Sequence, residues 1–266
     1  MIHIRRAVTS DKQQILAFCQ NTFSWGDYIH EVYDSWIDEG DLVIFEEDGI
    51  PIAICHGVTY SEEEMLWIEG IRVRSDYRRS GLAEKLVSYI ENNAKNSGIK
   101  HSAMLIESQN QPSLNLAKKI GYNKQAQWNY IPVESKKNSF FTNFDSISFD
   151  ELAQLDIRYV ESWRWIPLIH STFKKLNSNG NILCIKNTNG VQSLGVISES
   201  NSFENTIILT IIFGTIADIE KMISYTQNLS VEKKYSKIRV LTKYNDISLV
   251  DKLEKKFPFY LLIKQL

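Results

Sequence analysis

Cysteine is scarce in this chain, with three residues, Cys19, Cys55 and Cys184, among 266. Three scattered thiols build no disulfide framework and have no zinc spacing, so they read as buried, reduced side chains. Five prolines and 12 glycines are too few for low-complexity or collagenous sequence. No run of about 18 apolar residues exists, which excludes a membrane-spanning helix. The start, Met1-Ile2-His3-Ile4-Arg5-Arg6, turns charged where a secretory leader would stay apolar, so the expectation is a soluble, cytoplasmic protein with no membrane partner. An excess of one charge is also missing: 30 Lys+Arg against 32 Asp+Glu leave a net charge of −2. That balance argues against nucleic acid as a partner and against an acidic disordered tail. His3, His30, His56, His101 and His170 show no metal-ligand spacing and read as packed or exposed side chains, so no metal is expected.

What is present is core-forming sequence: 43% hydrophobic residues, 11% aromatic. At roughly 150 residues per domain the length corresponds to about 1.8 domains. Charge divides the chain in the same place: residues 1–133 hold 13 Lys/Arg and 18 Asp/Glu, and residues 134–266 hold 17 and 14. A polar stretch around Glu134-Ser135-Lys136-Lys137-Asn138-Ser139 suits a linker. The expected domains are 1–134 and 148–266, joined by 135–147.

Periodicity orders the first half as β-α-α-β-β-β-α-β-α-β. Residues 2–8 read as a strand, followed by helices over Ile15–Cys19 and 28–38. Asp48-Gly49 between β-branched runs is a hairpin signal, and a third strand runs from Met65 to Val73. Helices are expected over Ser80–Asn96 and from Pro112, which suits a first turn, to Ile120, with Gly121 as the stop. A strand over Ser102–Ile106 lies between them, and a strand pair follows around Tyr122–Val133. In the second half, Leu152–Tyr159, Trp165–Leu176, Ile216–Gln227 and Asp246–Lys256 read as helices. Strands are expected over Asn181–Lys186, Val191–Glu199, Asn205–Phe213, Lys237–Thr242 and Phe257–Ile263. The tail, βββ-α-β-α-β, repeats the architecture of the first half without its sequence.

The stretch Leu66-Trp67-Ile68-Glu69-Gly70-Ile71-Arg72-Val73-Arg74-Ser75-Asp76-Tyr77-Arg78-Arg79-Ser80-Gly81-Leu82-Ala83 carries the chemistry. A strand ends in an arginine-rich turn and a helix begins at a glycine. The free N–H groups of a first helical turn, with the helix dipole behind them, make an anion site. Gly81 permits close backbone approach. The spacing is neither a Walker loop nor a dinucleotide fingerprint.

Arg78-x-x-Gly81-x-Ala83 after the fourth strand resembles the GCN5-related N-acetyltransferase (GNAT) superfamily, whose motif is Gln/Arg-x-x-Gly-x-Gly/Ala. The resemblance spans about residues 2–133 in element order. It includes Asn110-x-x-Ser113-x-x-Leu116-Ala117-Lys118-Lys119-Ile120-Gly121-Tyr122. It implies a mixed, mostly antiparallel α/β GNAT fold followed by a degenerate second copy, and acetyl-CoA as acetyl donor in a cleft between strands four and five. Ile71, Arg72 and Val73 match strand positions whose backbone pairs with pantetheine. Arg78, Arg79, Ser80, Gly81, Leu82 and Ala83 match the pyrophosphate loop, and Asn110 the position that touches the cofactor arm. The family's frequent tyrosine general acid falls at Ala117, leaving that role vacant, unnecessary or moved to Tyr122 or Tyr130.

Glu69 reads three ways: as the base that deprotonates the amine, as an ammonium anchor, or as a partner for an arginine such as Arg72. The aromatic and acidic stretch around Asp27, Tyr28 and Tyr33 matches the region that lines the family's acceptor pocket. With Trp36 and Trp-Ile-Glu-Gly-Ile-Arg-Val it is also similar to histidine N-acetyltransferase-like proteins, which implies an amino-acid amine as acceptor. Trp163 and Trp165 either cover such a pocket or build core. The second half reads Ile212-Phe213-Gly214-Thr215-Ile216-Ala217-Asp218 where the arginine motif would stand, so it is not expected to hold pyrophosphate in the same way. The implied activity is acetyl transfer by direct attack of a primary amine, of a small molecule or of a protein; a non-catalytic acyl-CoA-binding module and a homodimer also remain compatible with the sequence.

Overall fold

The β-branched runs around Asp48-Gly49 fold into an antiparallel hairpin, β2 (Leu42–Glu47) against β3 (Ile50–Tyr60). Both turn residues take positive φ, 50° and 84°, as a two-residue hairpin loop requires. The computed structural model describes residues 2–20, 22, 26–139, 143–152, 154–200, 205–244 and 257–266. The chain divides into two units. The first takes the residues up to Ile106, Asn110–Gln125 and Leu262–Leu266; the second takes Glu107–Gln109 and Ala126–Leu261.

In the first unit, β1 (Ile2–Arg6) and β3 flank β2, and β4 (Met65–Val73) is antiparallel to β3. β5 (His101–Glu107) runs parallel to β4. Helices α1 (Lys12–Cys19) and α2 (Ile29–Glu39) cover one face. α2 buries Ile29, Val32, Tyr33 and Trp36, an i, i+3, i+4, i+7 stripe, against Leu42, Ile44 and Ile54. Gly40, at φ 90°, ends it and returns its N–H to the Trp36 carbonyl at 3.2 Å. The opposite face carries α3 (Leu82–Asn96). There a Cβ on Gly57 would stand 2.5 Å from Ile90 Cγ2, so glycine sets the approach of helix to sheet. The Asn110–Gln125 segment contributes α4 (Gln111–Lys119).

The second unit holds the strand β6 (Asn123–Glu134) from Ala126 onward, the hairpin β7 (Arg158–Glu161) and β8 (Arg164–Pro167), and α5 (His170–Ser178). It continues through β9 (Ile182–Asn187), β10 (Gly190–Glu199), β11 (Thr206–Phe213), α6 (Ile216–Glu232) and β12 (Lys237–Thr242). The strand order is β6-β12-β11-β10-β9. The last strand, β13 (Phe259–Gln265), has its final residues in the first unit beside β5, with the Leu266 N–H on the Lys100 carbonyl at 2.8 Å.

Four expectations differ from this. The pair around Tyr122–Val133 is one long strand, and it leaves the first unit at Ala126 rather than at 134 because residues 129–134 pair with β12. Its place beside β5 goes to the chain's last residues. The helices expected over Leu152–Tyr159 and Trp165–Leu176 are instead turns, the β7–β8 hairpin and the shorter α5. Arg158-Tyr159-Val160 and Arg164-Trp165-Ile166 meet across Ser162-Trp163, both at positive φ, and the Val160 N–H reaches Thr210 Oγ1 on β11 at 3.0 Å. Here β-pairing overrides the helical spacing. The Asp246–Lys256 helix lies outside the described residues. Among those residues no helix is long and apolar enough to cross a membrane.

Candidate active site

The first unit opens between its two parallel strands. β4 and β5 are in register only at Met65↔His101, Leu66↔Ser102 and Trp67↔Ala103, although β4 runs on to Val73 and β5 to Glu107. On its other edge β4 stays paired with β3 but bulges: Ile54 to His56 faces Arg72 to Glu69, one residue more on β4. Gly70 takes up the bulge at φ 66°, and a Cβ there would lie 2.3 Å from Trp36 Cη2. Only glycine permits that approach.

β4 leads through the Ser75–Tyr77 turn into α3. Arg79 and Gly81 take φ 65° and 81°. The first helical bond runs from the Lys85 N–H to the Gly81 carbonyl, so the amides of Leu82, Ala83 and Glu84 precede it, and no side chain caps the helix. A Cβ on Gly81 would meet no atom within 4 Å. Arg78, Arg79 and Ser80 are exposed. Arg74 is committed to Asp76 through two bonds of 2.9 Å and lies over the Tyr77 ring. Beside the loop, Gly81, Glu84, Lys85, Ser88, Tyr89 and Asn92 line a depression of about 540 Å³. Free amides, open space and two arginines fit a pyrophosphate. Asn110 instead caps α4, its Oδ1 accepting the Ser113 N–H at 3.2 Å.

Glu69 sits on β4 within a polar cluster. One carboxylate oxygen lies 3.0 Å from His56 Nδ1, and the other accepts the Trp67 indole N–H at 3.2 Å. The Glu69 side chain is 14% exposed, whereas that of His56 is fully buried. The imidazole stacks on Trp36, centroids 4.5 Å apart at 14°. Its far nitrogen, Nε2, lies 3.3 Å from Glu39 Oε2, an ion-pair distance without hydrogen-bond alignment. Reading His56 as a packed histidine misses this cluster. Counting back from the Tyr60–Met65 pair that closes the hairpin places His56 opposite Glu69, the signal that could have found it.

The acceptor-side residues are placed differently. Asp27 gives both carboxylate oxygens to Arg72, at 2.6 and 3.0 Å, and is 3% exposed. The Arg72 guanidinium also lies 5.3 Å from the Tyr28 ring centroid, and burial raises the Tyr28 phenol above its ordinary pKa. Arg72, like Arg74, thus has an acidic partner, and that partner is Asp27. Tyr33 is a core residue with its hydroxyl on the Val8 carbonyl at 2.9 Å. Tyr122 lies in a buried network with Ser102 and Glu91, the latter also bonded by Lys264 at 2.6 Å. Burial, then the Glu91 charge, raises the Tyr122 phenol pKa. Tyr130 belongs to the second unit, where it meets Trp163 edge-on; Trp165 there is fully buried.

The second unit repeats the β-β-β-α-β run, as β9-β10-β11-α6-β12, without the opening. β11 and β12 stay in parallel register from Thr206↔Lys237 to Ile211↔Thr242. The α6 N-terminus is filled by its own side chains: Thr215 Oγ1 accepts the Asp218 N–H, and Asp218 accepts from Gln192, Ser193, Thr215 and Lys221.

Comparison with known proteins places the family match in the first part of the chain. The family model of the acetyltransferase (GNAT) family matches residues 12–122. A putative acetyltransferase from Thermoplasma acidophilum superposes with a TM-score of 0.62 at 13% identity, over 99% of this chain and all of that one. A GCN5-related N-acetyltransferase from Sphaerobacter thermophilus gives 0.65 at 13%, over 99% and 95%. A tandem GNAT protein from the clavulanic acid biosynthesis pathway gives 0.59 at 7%, over 100% and 98%. These likenesses are of fold. No curated protein matches the chain.

Proposed function

From a first unit that carries a GNAT acetyltransferase domain over residues 12–122, we propose that this protein is an N-acetyltransferase. It transfers acetyl from acetyl-CoA, the donor of the family, to the primary amine of a small molecule such as an amino acid. The parting of β4 from β5 beside the uncapped α3 helix carries this reading. Acetyl-CoA supplies the activated acetyl thioester. The amides of Leu82, Ala83 and Glu84, with Arg78 and Arg79, receive the pyrophosphate. The backbone of Ile71, Arg72 and Val73 orients the pantetheine arm as a neighbouring strand would. Glu69 takes the proton that the ammonium must lose before its nitrogen attacks. A thiol with a pKa near 8.5 leaves without a strong acid, so Ala117 in the tyrosine position is no obstacle. Orientation of both reactants supplies on the order of 7–11 kcal/mol. The second unit is a degenerate copy that completes a tandem arrangement. Three free, buried thiols suit a reducing, cytoplasmic setting.

The test is thiol release from acetyl-CoA against a panel of amino acids, polyamines and peptides. Glu69→Gln is expected to lower kcat by about 10²-fold or more while acetyl-CoA affinity stays unchanged. Wild-type turnover in that variant refutes the base role, and release with peptides alone refutes the small-molecule acceptor.

A further inference from the structure

Resting on the reading of Glu69 as the base, we infer that His56 is its positioning residue and that Glu39, reaching in from the end of α2, tunes it through the same imidazole. The geometry is a line of three groups. Glu69 meets one ring nitrogen of His56 at 3.0 Å and Glu39 the other at 3.3 Å. The ring itself has no exposure and is clamped by Trp36. Glu39 is 35% exposed, so the line leads from the base to solvent through α2 rather than through the β4–β5 opening.

The last turn of α2 contains no basic residue, so no cation of its own helix turn neutralises the Glu39 carboxylate beside the buried imidazole. The three groups do not make a chelate, because the two carboxylates meet opposite nitrogens of one ring, although the nearest ligand atoms of all three fall within 4.8 Å of one another. An ion on one nitrogen would lose the carboxylate on the other.

The other groups facing the cluster are quiet. Tyr28 and Cys55, which both sense the Glu69 charge, are kept protonated by burial. On α1, burial pushes the Cys19 thiol up to about 12. Arg72 is neutralised by Asp27. Across the sheet Glu91 is paired with Lys264, and the β2 partner of His56 is the apolar Leu42. Beside the fixed Trp67 indole donor, two neighbours of opposite effect therefore act on the charge of Glu69. The Nδ1–H donor stabilises its charged form, and the nearby Glu39 carboxylate destabilises it.

The experiment is the pH dependence of kcat/KM in three variants. His56→Leu removes the donor: kcat is expected to fall about tenfold or more, and the acid limb to move up by about one pH unit. His56→Asn returns an amide N–H near the Nδ1 position and is expected to restore most of kcat. Glu39→Gln, at a part-exposed site that the core does not depend on, removes an anion; its acid limb is expected to move down by about half a unit. Opposite shifts from His56→Leu and Glu39→Gln, with unchanged acetyl-CoA affinity, support the inference, because a merely structural role moves neither limb. Unshifted limbs in both variants overturn it while Glu69→Gln stays inactive and the base reading stands. Wild-type turnover in Glu69→Gln marks the other failure, that of the base itself. Calorimetric Zn²⁺ binding that is lost in His56→Asn also overturns it, in favour of a chelate.

Discussion

Gly81→Asp separates helix stability from anion binding when it is set beside Gly81→Asn, because the two variants share the backbone cost and differ in charge. Gly81 is the N-cap of α3, at φ 81°, with no atom within 4 Å of the position a Cβ would take. Aspartate is a favoured N-cap residue, but over the glycine it replaces it gains a helix only about a few tenths of a kcal/mol. Its left-handed backbone costs about 1–2 kcal/mol, so a modest loss of stability, no more than about 2 kcal/mol, is expected. For the ligand the same carboxylate is a competitor. It occupies the free amides and places a negative charge about 4 Å from a bound phosphate. At an effective dielectric of about 20 that repulsion approaches 4 kcal/mol, or about 10³-fold in affinity at 1.4 kcal/mol per decade. Salt screening of an exposed loop reduces it, so titration calorimetry should find acetyl-CoA bound at least about 10²-fold more weakly. Gly81→Asn keeps the shape, tolerates positive φ and adds no charge, and is expected to lose less than about tenfold. The reasoning fails if Gly81→Asp binds within about threefold of the parent, or if Asn and Asp lose equally.

Two further substitutions probe the scaffold. Gly70→Ala forces a methyl to within 2.3 Å of Trp36 at positive φ. The backbone cost of about 1–2 kcal/mol and an overpacking cost of about 1–3 kcal/mol should both appear in urea unfolding followed by tryptophan fluorescence; a loss below about 0.5 kcal/mol would show that the bulge is not under that constraint. Asp218→Asn tests the second unit. Hydrogen bonds from Lys221, Gln192, Ser193 and Thr215 outweigh burial and hold the Asp218 carboxyl well below the ordinary carboxylate range. A depressed folded-state pKa gives stability that is present at neutral pH and lost as pH falls below about 4. The variant should be less stable at pH 7 by about 1.5–3 kcal/mol and show a flatter acid limb; an unchanged slope would refute the assignment.

The β4–turn–α3 stretch was legible because each step has a local signature: alternation in the strand, arginines and a glycine in the turn, and a 3.6-residue stripe after it. The Asp48-Gly49 hairpin was legible for the same reason. The β7–β8 hairpin was not, because Trp165 to Leu176 carries apolar residues at helical spacing and only the sheet of its own unit decides against a helix there. The Asp27–Arg72 pair spans 45 residues, and nothing in either neighbourhood marks it. Asp27 therefore looks available for an ammonium until the fold closes on it. His56 was hidden differently: a lone histidine in an apolar strand is ordinary, and its meaning comes from the residue facing it across the hairpin. The exchange of strands, with β6 leaving at Ala126 and the last residues returning at Leu262, lies beyond local pattern altogether. Any strand of suitable alternation can fill an edge, and here Lys264 at buried Glu91 helps select the one that does.

Why one half keeps an open helix N-terminus while the other closes it follows from what each end must satisfy. Four amides at the start of any helix need acceptors. At α6 the chain provides acceptors for two amides near that end, Thr215 from Ser193 and Asp218 from Thr215, with Asp218 placing a charge on the positive end of the helix. The strands beside it remain in register to the end of β12. That arrangement favours stability and places a carboxylate where an anion would have to bind. At α3 the turn forgoes a cap, holds Arg79 and Gly81 at positive φ and lets β4 part from β5. Each of those features costs stability in the free protein, and on the proposed function each is offset when acetyl-CoA occupies the gap. Conversion of the first kind of end into the second needs little more than an acid three residues after a threonine.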